Sequence, residues 1–174
     1  MNRNKHSSSA NIIAESVMFV AIATVLSNIK IFEMPQGGSV TLGSMVPILW
    51  LALRRGPRVG IFAATVYGVV QFALGPYILH PAQVILDYPL AFGLLGVAGF
   101  FQKRPFIGVT LASLGRYGAH FLSGVLFWSV IYAPGMNHIV YSAVYNGGYM
   151  LVEFVISIYV IYLLRASKVL DIYI

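Results

Sequence analysis

The sequence predicts an all-α integral membrane protein with six transmembrane helices, and three observations support this fold class. Apolar residues make up 59% of the chain and charged residues only 9%, whereas a soluble domain carries roughly 25% charged residues. The apolar residues fall into six segments separated by short polar or basic links. Nine of the 11 Lys and Arg residues lie in clusters at the ends of these segments. A soluble fold of this length could not bury so much apolar surface.

The six apolar segments give the helix boundaries, and the length of the chain fits a single domain over residues 1–174. Residues 1–10 form a polar N-terminal stretch that we expect in the cytoplasm. The predicted helices cover residues 11–29, 45–53, 58–74, 83–101, 106–132 and 140–164. The second helix is shorter than the roughly 20 residues that a full span needs. It follows a polar link at 28–44, which contains Gly and Pro and is long enough to fold over another part of the molecule.

The basic clusters predict how the helices are oriented in the membrane. They consist of Arg3 and Lys5; Arg54, Arg55 and Arg58; Lys103 and Arg104; and Arg165 and Lys168. Because Lys and Arg favour the cytoplasmic side, both termini are expected inside, and the links at 28–44, 75–82 and 132–139 outside. This distribution also argues against a nucleic-acid partner, since the charges form no binding stripe. We therefore predict a multi-pass protein that is surrounded by membrane lipid.

Several function classes are excluded by the motifs that the sequence lacks. It contains no HExxH zinc motif, no GxSxG nucleophile motif and no phosphate-binding loop. Cysteine is absent, so disulfides and thiolate metal sites are excluded. The acidic residues are too scattered to propose a catalytic pair. We therefore expect no catalytic residues, no metal and no cofactor in a protein that is not an enzyme.

A carboxylate near the outer start of the fourth helix is the main candidate for a functional residue. Asp87 lies about one turn into that helix, where an ionisable group by default marks a functional site. The alternative is a helix-start charge at the water interface. Helix geometry places further polar and aromatic residues in the same outer third of the membrane. These residues are Tyr77, Tyr88, His120, Trp128, Tyr141 and Asn146.

Aromatic rings beside a carboxylate suit a cationic heteroaromatic ligand, because the rings can stack on it and attract its charge. We therefore expect a ligand cation, rather than a protein cation, to offset the charge of Asp87. Taken singly, rings such as those of Trp128 and Tyr141 would instead anchor the protein at the membrane surface. A single histidine such as His120 is more often a partner in a hydrogen bond between helices.

Two charged residues, Arg116 and Glu153, are predicted near the middle of the membrane on neighbouring antiparallel helices. Each would be costly there without a partner, so we interpret them as a structural ion pair. A proton relay is the alternative interpretation.

The first predicted helix carries small residues spaced four apart, which let helices approach one another closely. They are Ala10, Ala14, Ala23 and Ser27. A contact with a partner protein and packing inside the domain both fit this pattern.

Five stretches of the sequence carry distinctive motifs, GGSVTLGSMVP (37–47), ALRRG (52–56), QVILDYP (83–89), RYGAHFLSGVLFW (116–128) and YSAVYNGGYML (141–151). Together they resemble the thiamine-specific substrate-binding subunit (S-component) of energy-coupling factor transporters. The likeness covers nearly the whole chain and keeps the order and spacing of the motifs. It implies six helices, high-affinity capture of thiamine from outside, and a prokaryotic plasma membrane. It also implies docking on a transmembrane coupling protein and two ATPase subunits.

The resemblance further implies roles for single residues. Asp87 stands where the family has a glutamate that faces the thiazolium cation, with Tyr88 beside it. Trp128 and Tyr141 would sandwich the rings of the ligand. Hydrogen bonds to the ligand are implied for His120, Asn146 and Tyr77.

Two departures from the family pattern leave room for another ligand. The acid at position 87 is one methylene shorter, and Tyr67 takes the place of a tryptophan on the third helix. A thiamine precursor or analogue is therefore an alternative ligand. A stand-alone secondary transporter is a further alternative, but it would need a coupling-ion site and usually repeat symmetry.

Overall fold

The computed structural model describes residues 9–167 and contains six helices in that range. They are α1 (Ser9–Ser27), α2 (Met45–Arg55), α3 (Pro57–Leu74), α4 (Pro81–Phe101), α5 (105–132) and α6 (His138–Ala166). The six-helix fold is confirmed, and every helix end lies within two residues of its predicted position. The predicted basic residues Arg3, Lys5 and Lys168 lie outside the described residues.

Four of the described helices, α1, α3, α4 and α6, are long and apolar enough to cross a membrane. Helix α2 has only 11 residues, as its short apolar segment predicts, and most of them are buried. A helix that is apolar on all sides belongs in a core, and Ile48, Leu49 and Leu51 are fully covered by the surrounding helices. Helix α2 therefore forms the centre around which the longer helices pack.

The basic links come together at one end of the helix bundle. Arg55, at the end of α2, forms an ion pair with Glu15 in the first half of α1. Gln102, after α4, donates a hydrogen bond of 2.9 Å to the carbonyl of Leu53. The guanidinium of Arg165 lies 5.5 Å from the centroid of an aromatic ring at the start of α5. These contacts place three of the predicted cytoplasmic segments on the same side.

Helices α4 and α5 each contain one widened, π-helical turn, at Leu86–Leu90 and Gly124–Trp128. Pro89 lies inside the first of these turns and has no N–H to donate to a regular helical bond. A π-turn inserts one extra residue into a helix and is frequent at functional sites. The two turns contain Asp87 and Trp128, respectively.

The link between α1 and α2 folds into a short antiparallel hairpin that the sequence did not predict. Its strands are β1 (Lys30–Glu33) and β2 (Ser39–Thr41). A single turn of 3-10 helix joins them. The prediction that this link folds over another part of the molecule is nonetheless confirmed, since the hairpin packs against α6.

The small residues of α1 do not all face the same surroundings. Ala10 and Ala14 are exposed, so a partner can reach them. Ala23 is fully buried in the core, and Ser27 is half-buried and accepts a 2.9 Å hydrogen bond from Gln71 of α3. The prediction of a partner interface is therefore wrong for Ala23, because α1 packs this part of its face inside the domain.

Candidate ligand-binding site

A cavity of roughly 330 Å³ lies at the end of the bundle opposite the basic links, beneath the hairpin. This volume is within the range of small-molecule sites. The structure brings all eight residues that the sequence singled out into the lining of this cavity. They are Tyr67, Tyr77, Asp87, Tyr88, His120, Trp128, Tyr141 and Asn146.

The carboxylate of Asp87 is held by four side chains of the protein. Its Oδ2 accepts hydrogen bonds from Gln83 Nε2 (2.8 Å), Ser123 Oγ (2.8 Å) and Trp128 Nε1 (2.9 Å). Its Oδ1 lies 3.0 Å from His120 Nδ1. Three donors therefore converge on Oδ2, whereas Oδ1 meets a single one. Gln83, Ser123 and Trp128 carry no charge, so the negative charge still faces the cavity.

His120 connects this carboxylate to a cation. Arg116 Nε donates to His120 Nε2 over 3.4 Å, so Nε2 acts as an acceptor and the ring proton is assigned to Nδ1, which donates to Asp87. The guanidinium of Arg116 also lies 4.3 Å from the ring centroid of Phe92. Both ring nitrogens of His120 are therefore occupied by protein groups in this arrangement.

The predicted ion pair between Arg116 and Glu153 is wrong, because no such pair forms in the described part of the chain. Glu153 instead accepts a hydrogen bond from the backbone N–H of Thr41 and a second one, of 2.7 Å, from Thr41 Oγ1. Thr41 ends strand β2, so Glu153 ties the hairpin to α6. Helix spacing alone could not predict this partner, since it comes from the hairpin.

The wall formed by α6 is a row of tyrosines. The rings of Tyr141 and Tyr145 are stacked with centroids 5.8 Å apart, and Tyr149 meets Tyr145 edge-on at 6.1 Å. Sequence reasoning named only Tyr141. The spacing of four residues, which places side chains on one face of a helix, was the signal for the other two.

The opposite wall is built around Trp128, which lies between two tyrosines. Its ring centroid is 5.8 Å from that of Tyr77 and 5.6 Å from that of Tyr132. The hydroxyl of Tyr88 accepts from the backbone N–H of Tyr77 (2.9 Å) and donates to the carbonyl of Gly75 (3.2 Å). Tyr88 thereby holds the link that carries Tyr77 at the cavity.

Two of the predicted residues mainly join helices to one another. Tyr67 is 1% exposed, and its ring packs edge-on against Phe92 with centroids 5.0 Å apart. Asn146 Nδ2 donates to the carbonyls of Ser142 (3.1 Å) and His120 (3.3 Å). Asn146 therefore links α6 to α5 at the level of the cavity.

The hairpin is fastened over the cavity by Tyr145. Its hydroxyl donates to the carbonyl of Pro35 and accepts a 3.1 Å hydrogen bond from the N–H of Gly38. Gly37, between them, has a φ of +87° and lies against the ring of Tyr77, so a side chain there would meet both strain and a clash. The hairpin thus forms a cover whose inner surface belongs to the cavity.

Comparison with known proteins agrees with the motifs in the sequence. Residues 13–171 match the family described as thiamine transporter protein (Thia_YuaJ). The thiamine transporter ThiT of Bacillus subtilis (strain 168) is 34% identical over 169 residues, covering 86% of this chain and 88% of that protein. ThiT of Lacticaseibacillus paracasei (strain ATCC 334) is 32% identical over 170 residues, covering 86% and 84%.

A solved structure of ThiT from Listeria monocytogenes matches with a TM-score of 0.81 and 30% identity, covering 91% of this chain and 96% of that one. The relatives are bacterial and are named as transporters, so the predictions of a non-enzyme and of a multi-pass plasma-membrane protein are confirmed. Helices, motifs and comparisons agree that the chain belongs to the thiamine transporter protein family.

Proposed function

We propose that this chain binds thiamine in the cavity and delivers it for uptake as the substrate-binding subunit of an energy-coupling factor transporter. The observation that carries the proposal is a carboxylate, that of Asp87, whose side chain is only 12% exposed, is fixed by three uncharged donors and is flanked by aromatic rings. Thiamine is here a cargo rather than a cofactor, and no cofactor or metal is required.

The chemistry of thiamine fits this arrangement. Its thiazolium ring carries a permanent positive charge, which needs a fixed anion to offset the loss of water. The donors around Asp87 hold that anion in place before the ligand arrives, which lowers the cost of binding. The ring faces of Trp128 and Tyr141 provide stacking and cation–π attraction for the two aromatic rings of the ligand.

A thiamine titration of the purified protein tests the binding step. The chain has two tryptophans, so Trp50→Phe leaves Trp128 as the sole fluorescent reporter beside the cavity. We expect saturable quenching by thiamine in this variant and none in the matched Trp128→Phe variant. Absence of saturable binding to the unmodified protein would contradict the proposal.

The shorter acid and the tyrosine at position 67 favour one alternative, a precursor or analogue of thiamine. The same titration with thiamine phosphates and with the isolated pyrimidine moiety distinguishes these ligands. Tighter binding of the pyrimidine moiety than of thiamine would establish the alternative.

We infer that uptake requires a separate module of one transmembrane coupling protein and two ATPase subunits. The sequence has no phosphate-binding loop of its own, and the exposed Ala10 and Ala14 on α1 leave room for a closely packed partner helix. Labelled thiamine should accumulate in cells that express the chain with this module, and not in cells that express the chain alone. Accumulation by the chain alone would instead establish a stand-alone secondary transporter.

Replacing Tyr145 with Phe should speed the release of thiamine by roughly fivefold or more, since a net hydrogen bond contributes about 0.5–1.5 kcal/mol. The variant loses both contacts that fasten the hairpin at Pro35 and Gly38, yet keeps the ring that lines the cavity. Stopped-flow fluorescence measures the dissociation rate. Tyr159→Phe, on an exposed part of the same helix, is the matched control and should leave the rate unchanged. Equal rates in all three proteins would contradict a closing role for the hairpin.

A further inference from the structure

We infer that Glu153 forms a second polar contact for the ligand, at the floor of the cavity, where its Oε2 accepts a hydrogen bond from an uncharged N–H or O–H group. This inference rests on the proposed function, since it concerns how thiamine is recognised. It assigns a binding role to a residue that helix positions alone marked as structural.

The position of Glu153 places it deeper than the groups around Asp87. On α6 it follows Asn146 by seven residues, which is about two turns and a rise of about 10 Å. Seven residues also return a helix to nearly the same face, and both residues line the cavity. Glu153 is only 2% exposed, so water outside the protein cannot readily solvate its carboxylate.

One oxygen of this carboxylate has unmet hydrogen-bonding capacity. Oε1 accepts both bonds from Thr41, whereas Oε2 has no hydrogen-bond partner among residues 9–167. A buried acceptor without a donor costs about 1–3 kcal/mol, and more when it is charged. Among the buried side-chain atoms of the described chain that lack such a partner, Glu153 Oε2 is the one whose residue lines the cavity.

Asp87 and Arg116, the other charged groups near this part of the cavity, already have protein partners. The two oxygens of Asp87 accept from four donors, and Arg116 contacts His120 and the ring of Phe92. Both oxygens of Asp87 therefore have at least one donor, whereas Glu153 Oε2 has none among the described residues. A ligand with a cationic ring and a neutral donor at one end would satisfy both carboxylates at once.

Thiamine carries two such neutral donors, the amino group of its pyrimidine ring and the hydroxyl of its side chain. Either group can donate a hydrogen bond to a carboxylate. Two analogues of thiamine show which of the two groups does so. In one analogue hydrogen replaces the amino group, and in the other hydrogen replaces the hydroxyl. One of the two analogues lacks the donor that reaches Oε2. Its binding affinity should change little when Glu153 is replaced.

Binding of thiamine and both analogues to Glu153→Gln, measured by calorimetry, tests the inference. We expect a loss of roughly 10- to 100-fold for thiamine, because a hydrogen bond to a charged group is among the stronger ones. The loss should shrink to less than about threefold for one of the two analogues, since no bond to Oε2 remains to be weakened. For Glu153→Asp we expect a smaller loss of affinity for thiamine, and again a reduced loss for the same analogue. This variant replaces Glu153→Gln in the experiment if the Gln variant does not fold.

Thr41→Val is the matched control. It removes the Thr41 hydroxyl that binds Oε1 and leaves Oε2 untouched, so any loss of affinity should be the same for all three ligands. An equal loss for all three ligands in Glu153→Gln, or no loss at all, would overturn the inference and leave Glu153 as a structural tie to the hairpin. Failure of the unmodified protein to bind thiamine would overturn the proposed function itself, so the two failures are distinguishable.

Discussion

Replacing Asp87 with Asn should weaken thiamine binding by about 100-fold or more, since removing one partner of a buried charge pair costs about 2–5 kcal/mol. The change removes the negative charge that is proposed to face the thiazolium. If the amide oxygen takes the place of Oδ2 among Gln83, Ser123 and Trp128, the amide N–H₂ faces His120 Nδ1, which is itself a donor in this arrangement. Isothermal calorimetry on the detergent-solubilised protein measures the loss.

Glu33→Gln is the control for Asp87→Asn. Glu33 is an exposed acid at the cavity, paired with Lys30 at 2.6 Å, and its removal should change the affinity by less than about threefold because exposed ion pairs contribute little. Thermal unfolding without ligand shows whether Asp87→Asn also lowers stability. A folded Asp87→Asn protein that retains full affinity would exclude Asp87 as the counter-ion.

Trp128→Ala should have an effect of similar size, because loss of a buried aromatic anchor in a binding site costs about 2–4 kcal/mol. The substitution removes a ring face for stacking and also the indole N–H that holds Asp87 Oδ2 at 2.9 Å. Trp128→Phe keeps a smaller ring and loses the hydrogen bond, so its affinity for thiamine should be intermediate. Calorimetry is the appropriate measurement, since both variants lack the fluorescent reporter.

Trp50→Ala is the matched control, because Trp50 packs edge-on against Phe19 with ring centroids 5.7 Å apart and does not line the cavity. We expect it to lower the unfolding temperature and to leave the affinity for thiamine unchanged. If Trp128→Ala and Trp50→Ala weakened binding equally, the effect of Trp128 would be one of stability and the stacking role would be wrong.

Most of the fold could be predicted because membrane helices are encoded locally, by long apolar runs with basic residues at their ends. The hairpin could not. Its strands, Lys30–Glu33 and Ser39–Thr41, are too short to show a pattern, and they are held by Tyr145 and Glu153 from a distant helix. Contacts between residues more than a hundred positions apart leave no periodic signal in one sequence.

The rise of a helix gives the depth of each residue in the membrane, and this depth predicted which residues lie near the site. It did not predict the hydrogen bonds between them. Asp87 and Trp128 were expected to meet a ligand from separate helices, whereas the indole N–H of Trp128 in fact binds Asp87 directly. Helix spacing placed Arg116 near the middle of the membrane, deeper than Asp87. In the structure His120 lies between Arg116 and Asp87 and contacts both of them. Sequence spacing does not give the side-chain positions that would have predicted these contacts.

The two π-turns mean that the number of residues, and not only their identity, encodes the arrangement of the cavity. Each residue of a regular helix advances the chain by about 100°. Because a π-turn accommodates one extra residue, deleting one residue at 124–128 would allow α5 to become regular while His120 and Ser129 kept nearly the same relative orientation, and only side chains inside the turn, such as Trp128, would change direction. Alignments of relatives that place a gap at 86–90 or 124–128 would identify proteins that lack a widened turn and whose residues there face the cavity differently.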